Sequence, residues 1–354
     1  MSPVYCVRTL AVKLGLIIGY WNNAGPPAGV RESIAEAEKL GFDSMWTAEA
    51  YGSDAFTPLA WWGSDTSRIK LGTSVVQISA RTPASTAMSA ITMDHLSGGR
   101  LLLGLGASGP QVVEGWYGQR YPKPLARTRE YVELLRRIFR REEVDFQGEH
   151  YQMPFQGEGS TGLGKPLKSI VKPLREDIPI LLGAEGPKNV AMAAEIGDGW
   201  LPIFFGPKSD DFYRAALQEG FDRPGARHGW DDFEIACTVP VIIGDDTEGC
   251  ADFMRPMMAL YIGGMGARDV NFHFDVFARM GHEEACHKIQ DAYLDGRKND
   301  AIAAVPTALV EDVALVGPRD KVLGELEKWK GTVLTTMLVS GPPDLLGQIA
   351  ELVG

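Results

Sequence analysis

The stretch from Arg68 to Ser108, RIKLGTSVVQISARTPASTAMSAITMDHLSGGRLLLGLGAS, decides how the chain is read. Its opening "IKLGTSVV" is β-branched and apolar, the composition of a buried strand over Ile69 to Val76. Pro83 suits a first helical turn, and Ala84 to Leu96 follows with good helix formers. Glycines in "SGGR" stop that helix, and "LLLGLG" from Leu101 to Gly106 reads as a second buried strand. Strand, helix and strand in so short a span make a βαβ unit. Its strands are parallel and its crossover right-handed.

The same alternation continues on both sides. Before it stand a strand at Val12 to Gly19, an amphipathic helix at Val30 to Leu40 stopped by Gly41, a strand in "FDSMWTAEA" ending at Glu49, and a helix at Phe56 to Ser64. After Gly106 come a polar loop and a long helix from about Ala126 to Arg141. Glu142 to Asp177, rich in Gly and Pro, then breaks the rhythm, and ordered excursions of that length are usually functional or lid-like. The rhythm resumes with a strand at Ile178 to Gly183, a helix at Pro187 to Ile196, the strand of "DGWLPIFF", a helix at Asp210 to Gly220 and a strand at Phe233 to Ile243. Thr247 to Arg297 is a second, mainly helical insertion, and Arg319 to Lys330, Val333 to Ser340 and Leu345 to Val353 close the chain as helix, strand, helix. Strands near positions 13, 44, 70, 101, 178, 199, 234 and 334 number eight. The expected fold is therefore α/β, a (β/α)8 TIM barrel with insertions near 142–177 and 247–297. It forms one domain over 12–354, after a loose extension at 1–11.

Composition narrows the function. At 354 residues and 45% hydrophobic content the chain can bury such a core. A net charge of -11 and a pI near 5.1 argue against a nucleic-acid or anionic-membrane binder. Cys6, Cys237, Cys250 and Cys286 are far apart and form no CxxC, which reads as reduced thiols in a cytoplasmic protein, with neither zinc nor a disulfide framework. No apolar run approaches the roughly 20 residues of a membrane span, and residues 1–11 lack the apolar core of a signal peptide.

In a barrel of this kind chemistry lies at the carboxyl ends of the strands. Those ends carry Gly, Ala, aromatics and neutral polar groups, without the His and carboxylate cluster of a metal hydrolase, and they suit a broad planar ligand. Gly183, Gly186 and Pro187 end a strand and start a helix at once, with Lys188 beside them. That is either an anion site for a phosphate or an ordinary βα turn. "LGLGASG" (Gly104, Gly106, Gly109) resembles a dinucleotide motif but lacks the acidic residue for a ribose. Glu49, among apolar neighbours, is either a proton-transfer group or half of a structural ion pair with Arg81. Tyr20, Trp21 and Tyr51 either wall a flat ligand or fill the barrel mouth, and Trp61 and Trp62 are core or a subunit contact. Asp94, His95 and Arg100 read as a structural corner, while Asn271, His273 and Asp275 either pack or reach substrate.

"LGFDSMWTAEAYG", "GTSVVQ" with "DHLSGGR", and "LLGAEGPKNVAMAAEIGDGWLP" together resemble the bacterial luciferase-like monooxygenase superfamily, over about Lys13 to Gly341. The chain is most similar to the branch that uses the deazaflavin coenzyme F420. That resemblance implies a deep pocket at the carboxyl face, usually in a homodimer, and an oxidoreductase moving hydride between F420 and a small organic substrate. It places a bulge with a non-proline cis peptide at Ser74-Val75, under the deazaflavin ring. Ring contacts then come from Glu49 and Gln77, assigned as the catalytic pair, with Tyr20, Ala107 and Ser108 also lining the pocket. The phosphate tail lies over Gly183, Ala184, Gly186, Pro187 and Lys188. The sugar-phosphate dehydrogenases of the family carry a His after the acidic residue of strand two, where this chain has Ala50. They also carry a Glu after strand four, where this chain has Gly109-Pro110. Glucose-6-phosphate oxidation is therefore not the expected reaction. The competing readings are an FMN-dependent monooxygenase fed by a separate reductase, and a non-catalytic flavin-binding relative.

Overall fold

The computed structural model describes residues 12–19, 21, 23–268 and 270–354, so the 1–11 extension and Tyr20 lie outside the described residues. Eight parallel strand positions close on themselves: β1 (Lys13–Ile17), β2 (Ser44–Thr47), β3 (Lys70–Thr73, resuming at Val76–Gln77), β4 (Leu101–Gly106), β5 (Ile180–Gly183), β6 (Gly199–Leu201), β7 (Glu234–Thr238) and β8 (Thr336–Val339). Lys13 pairs with Thr336 across β1 and β8, and Leu71 with Leu101 across β3 and β4. The fold is a (β/α)8 barrel.

Helices wrap it where the apolar periodicity places them. Val30–Leu40 ends on Gly41 in the left-handed region, whose N–H donates to Ala37 and Glu38 carbonyls. Pro83–Ser97 opens with Pro at N1 and with the Thr82 hydroxyl accepting from Ser85 N–H at 3.2 Å. The lumen is filled by Ile17, Trp46, Leu181, Leu201, Ala236 and Leu338. Trp46 is the largest of these, and its indole N–H donates to Ser44 Oγ at 2.9 Å. It lies flat on Gly72 of the next strand, where any Cβ would fall inside the indole ring. A glycine there is a packing requirement.

Several elements differ from the expectation. The segment Phe233 to Ile243 is two strands. Pro240 has no N–H for a ladder, so β7 stops at Thr238, and Val241–Ile243 leaves the barrel to pair with Leu315–Gly317. The polar loop after β4 contains a short helix, Pro110–Gly115, with Pro at N1. The first excursion carries a two-stranded hairpin, Phe146–Gln147 with Gln152–Met153. The second insertion is helical through Glu311, past the expected limit at Arg297, and has its own core around Met258, Phe277, Ile289 and Leu309. Among the described residues no helix is long and apolar enough to cross a membrane.

Candidate active site

β3 is interrupted at the carboxyl face, and the Ser74-Val75 peptide there is cis, at the position the resemblance implies. Ser74 N–H donates to Thr47 O at 2.7 Å, and the strand resumes with Val76 opposite Leu105 and Gln77 opposite Gly106. The Val75 side chain is thereby turned onto the ends of β4 and β5. A Cβ at Gly106 would lie 2.5 Å from Val75 Cγ2, and one at Gly183 would lie 3.2 Å from Val75 Cγ1. Small residues at both strand ends let a half-buried valine form a platform at the mouth.

Glu49 and Gln77 border that platform, each 4% exposed. Arg81 Nη1 donates to Glu49 Oε1 at 2.7 Å, Gln77 N–H to the same oxygen at 3.2 Å, and Ala55 N–H to Oε2 at 3.3 Å. Burial disfavours the Arg81 cation, but the hydrogen bond and charge of Glu49 outweigh it and raise the Arg81 pKa. The ion-pair reading of Glu49 is what the geometry carries. Three donors thus converge on one buried carboxylate at the rim. Gln77 Nε2 donates to Glu49 O at 3.2 Å, which fixes the amide orientation and leaves Gln77 Oε1 buried without a partner among the described residues.

The loop after β4 supplies groups the sequence reading did not single out. Tyr117 OH donates to Ala50 O at 3.0 Å, and Tyr121 OH to Ser108 O at 2.8 Å. Burial first, then the Glu49 charge, raises the Tyr117 pKa, so it stands as a neutral donor beside Glu49. The only signal for these tyrosines was their spacing after a strand-end glycine run. Ala107 and Ser108 are half-buried at the end of β4, and Ser108 has a positive φ of 59°.

At β5 the helix Pro187–Ile196 starts on Gly186 with no side chain capping it, Pro187 and Lys188 exposed, and Gly183 and Ala184 half-buried beside the platform. Trp21 packs against Trp62, centroids 6.0 Å apart, while Tyr51 and Trp61 are exposed. Trp62 is core, and Trp61 lies under Arg31. Asp94, His95 and Arg100 are structural. Asp94 pairs with Arg175, His95 Nε2 meets Lys172 O at 2.9 Å, and Arg100 bonds Thr66 and Ile69 O. Of the insertion trio, Asn271 caps a helix turn, Asp275 is exposed, and His273 alone reaches a strand-end loop, at Glu185. Surface clefts of about 210 and 430 Å³ lie on the outer helices, away from this face.

The family model for the luciferase-like monooxygenase domain matches residues 16–336, nearly the whole barrel. The chain belongs to the luciferase-like monooxygenase family. A Mycobacterium tuberculosis protein named "putative coenzyme F420-dependent oxidoreductase" is 55% identical over 97% of this chain and 99% of its own length. The 5,10-methylenetetrahydromethanopterin reductase of Archaeoglobus fulgidus is 28% identical over 86% of this chain and 87% of its own. Among solved structures, the coenzyme F420-dependent tetrahydromethanopterin reductase of Methanopyrus kandleri superposes with a TM-score of 0.77 at 22% identity, covering 97% of this chain and 98% of that one. In this luciferase-like barrel the platform, the Glu49–Gln77 rim and the β5 loop are the candidate site.

Proposed function

We propose that the chain is an F420-dependent oxidoreductase that exchanges hydride with a small organic substrate at the carboxyl face of the barrel. The single observation that carries the reading is Gln77 Oε1, a buried acceptor at the platform rim without a partner among the described residues. Buried acceptors rarely stay unpaired, and the imide N–H of a deazaflavin or flavin ring supplies the missing donor. The near-full-length likeness to a protein named for F420 supports the deazaflavin over FMN. The residues present fit such a group: Val75 offers an apolar seat, Glu49 and Gln77 the polar edge, Ala107 and Ser108 the adjoining wall, and Gly183 to Lys188 a loop for the tail.

When bound, F420 supplies a carbon that accepts or gives hydride. The protein's own part is positioning and exclusion of water. Glu49 fixes the Gln77 backbone and Arg81, Gln77 holds its amide toward the rim, and Tyr117 closes the floor at Ala50. The exposed apolar side chains of Leu96 and, next to it through the His95–Lys172 contact, Ile170 and Val171 support the homodimer as part of the same reading.

Fluorescence titration with F420 and, separately, FMN tests the proposal. Tight F420 binding with weak FMN binding supports hydride transfer and directs a screen of enones, imines and secondary alcohols. The reverse order moves the reading to an oxygen-using monooxygenase, and binding of neither overturns the enzyme.

A further inference from the structure

A second carboxylate stands at the mouth, in the loop proposed for the cofactor tail. Glu185 lies two residues beyond Gly183, whose backbone borders the Val75 side chain. Two residues of chain span at most about 7 Å, so Glu185 belongs to the rim of the same site. The second insertion brings His273 to it, from the first turn of the helix Phe272–Phe277. His273 Nδ1 is 2.8 Å from Glu185 Oε1, at ion-pair distance but off the hydrogen-bond direction, and Glu185 Oε2 is buried with no partner among the described residues. The side chains are only 19% and 13% exposed.

The imidazole is held where it is. Its ring packs nearly perpendicular to Phe204, centroids 5.8 Å apart, and edge-on to Tyr261 at 4.8 Å. Asn271 accepts from His273 N–H at 3.0 Å and donates to Tyr261 O and Ile262 O, which pins the turn below it. Among the described residues, Tyr213 feels the Glu185 charge and has Arg279 and Cys237 beside it, while Asp275 and Lys188 follow His273 and Glu185 in sequence. Burial, then the Glu185 charge, pushes Tyr213 up to about 12, and Arg279 hydrogen-bonds to it. Burial pushes the Cys237 thiol up to about 12 as well. Asp275 and Lys188 are exposed. His273 is the group at ion-pair distance from Glu185 that can gain or lose a proton, while Arg279 reaches Tyr213.

An uncompensated carboxylate in that loop would repel an anionic tail, and charge pairs several ångströms apart near a protein surface couple appreciably. Resting on the cofactor reading above, we propose that Glu185 and His273 form a proton-linked charge gate on the tail site. With a proton on the imidazole the pair is neutral overall, and an anionic tail lies along Gly183 to Lys188. Without it, the Glu185 carboxylate faces the anion. Binding of a phosphate-bearing cofactor therefore takes up a proton from solvent, and affinity falls as pH rises.

The test uses two probes that share one ring and its ionisation: F420, and the same deazaflavin riboside without its phosphate tail. Affinities of the full chain for both are measured by fluorescence at about pH 6 and about pH 8, the range in which imidazoles titrate. The expected result is that the F420 to riboside affinity ratio falls about tenfold at the higher pH. In His273→Gln the ratio stays at the weak value throughout, and in Glu185→Gln, which lacks the opposing carboxylate, it is above the wild-type ratio at about pH 8. A wild-type ratio that does not change with pH, or a pH dependence that survives His273→Gln, overturns the gate while leaving the cofactor reading standing. If the wild type binds neither probe, the cofactor reading falls and takes the gate with it.

Discussion

Arg81 donates to Glu49 across 2.7 Å, joining the end of β2 to the turn that follows β3. Glu49 is almost fully enclosed and Arg81 one-fifth exposed, so the pair is nearer to a buried salt bridge than to a surface one. Removing the cation strands a buried charge, whereas Glu49→Gln keeps one acceptor oxygen, for the N–H of either Gln77 or Ala55, and leaves a partly exposed guanidinium.

Arg81→Leu is therefore expected to cost on the order of 2–3 kcal/mol, and Glu49→Gln about 1–2 kcal/mol. The double variant should cost less than the sum. Urea denaturation of the four proteins measures this. Strictly additive losses would show that the two side chains do not couple.

The two crowded glycines separate folding from binding. Gly72→Ala drives a methyl into Trp46 in the lumen, with an expected stability loss of about 1–3 kcal/mol. Gly106→Ala presses instead on Val75, a half-buried side chain at the mouth that can move outward. Its stability loss should be the smaller, and its loss of F420 affinity the larger. Melting curves and cofactor titrations on both variants check the crossover.

The barrel was legible because buried parallel strands are written as apolar runs such as "IPILLG" and "LLLGLG", with caps marking the helices between them. The ends of those runs located Glu49, Gln77 and the β5 loop. The cis peptide at Ser74-Val75 came only from resemblance, since nothing in "TSVVQ" announces it. The pairing of Val241–Ile243 with Leu315–Gly317 was hidden because it joins two three-residue strands across the whole second insertion. His273 meeting Glu185 is hidden for the same reason. Tertiary packing brings them together, and neither stretch carries a local pattern that points to the other.

Glu38 predicts an acid-labile joint at the base of the barrel. Burial acts against its ionised form, but backbone N–H groups of Ser67, Ile69 and Arg68 and the Ser67 hydroxyl win, and hold its pKa at about 2 against an ordinary 4.5. A depressed folded-state pKa contributes stability that is fully present above about 4.5 and is lost as pH falls toward about 2. Glu38→Gln should flatten the fall of the urea midpoint across that window while leaving the pH dependence above it unchanged. An unaltered slope would show that the Ser67–Ile69 turn does not depend on the carboxylate.

The first excursion is anchored by Arg175, which pairs with Asp94 and donates to Leu101 O at 2.8 Å. Asp94 is only 1% exposed, so Arg175→Ala both frees the loop and leaves a buried charge alone, with an expected cost of about 3 kcal/mol. Adding Asp94→Asn removes that charge, and global stability should largely return. Loop anchorage should not, because the amide cannot recruit a missing guanidinium. Trypsin cleavage after Lys168, which Ser169 follows, should therefore be faster than wild type in both the single and the double variant. Urea midpoints should separate the two. Cleavage that slows to the wild-type rate in the double variant would mean that the loop is held by the barrel's overall stability and not by this contact.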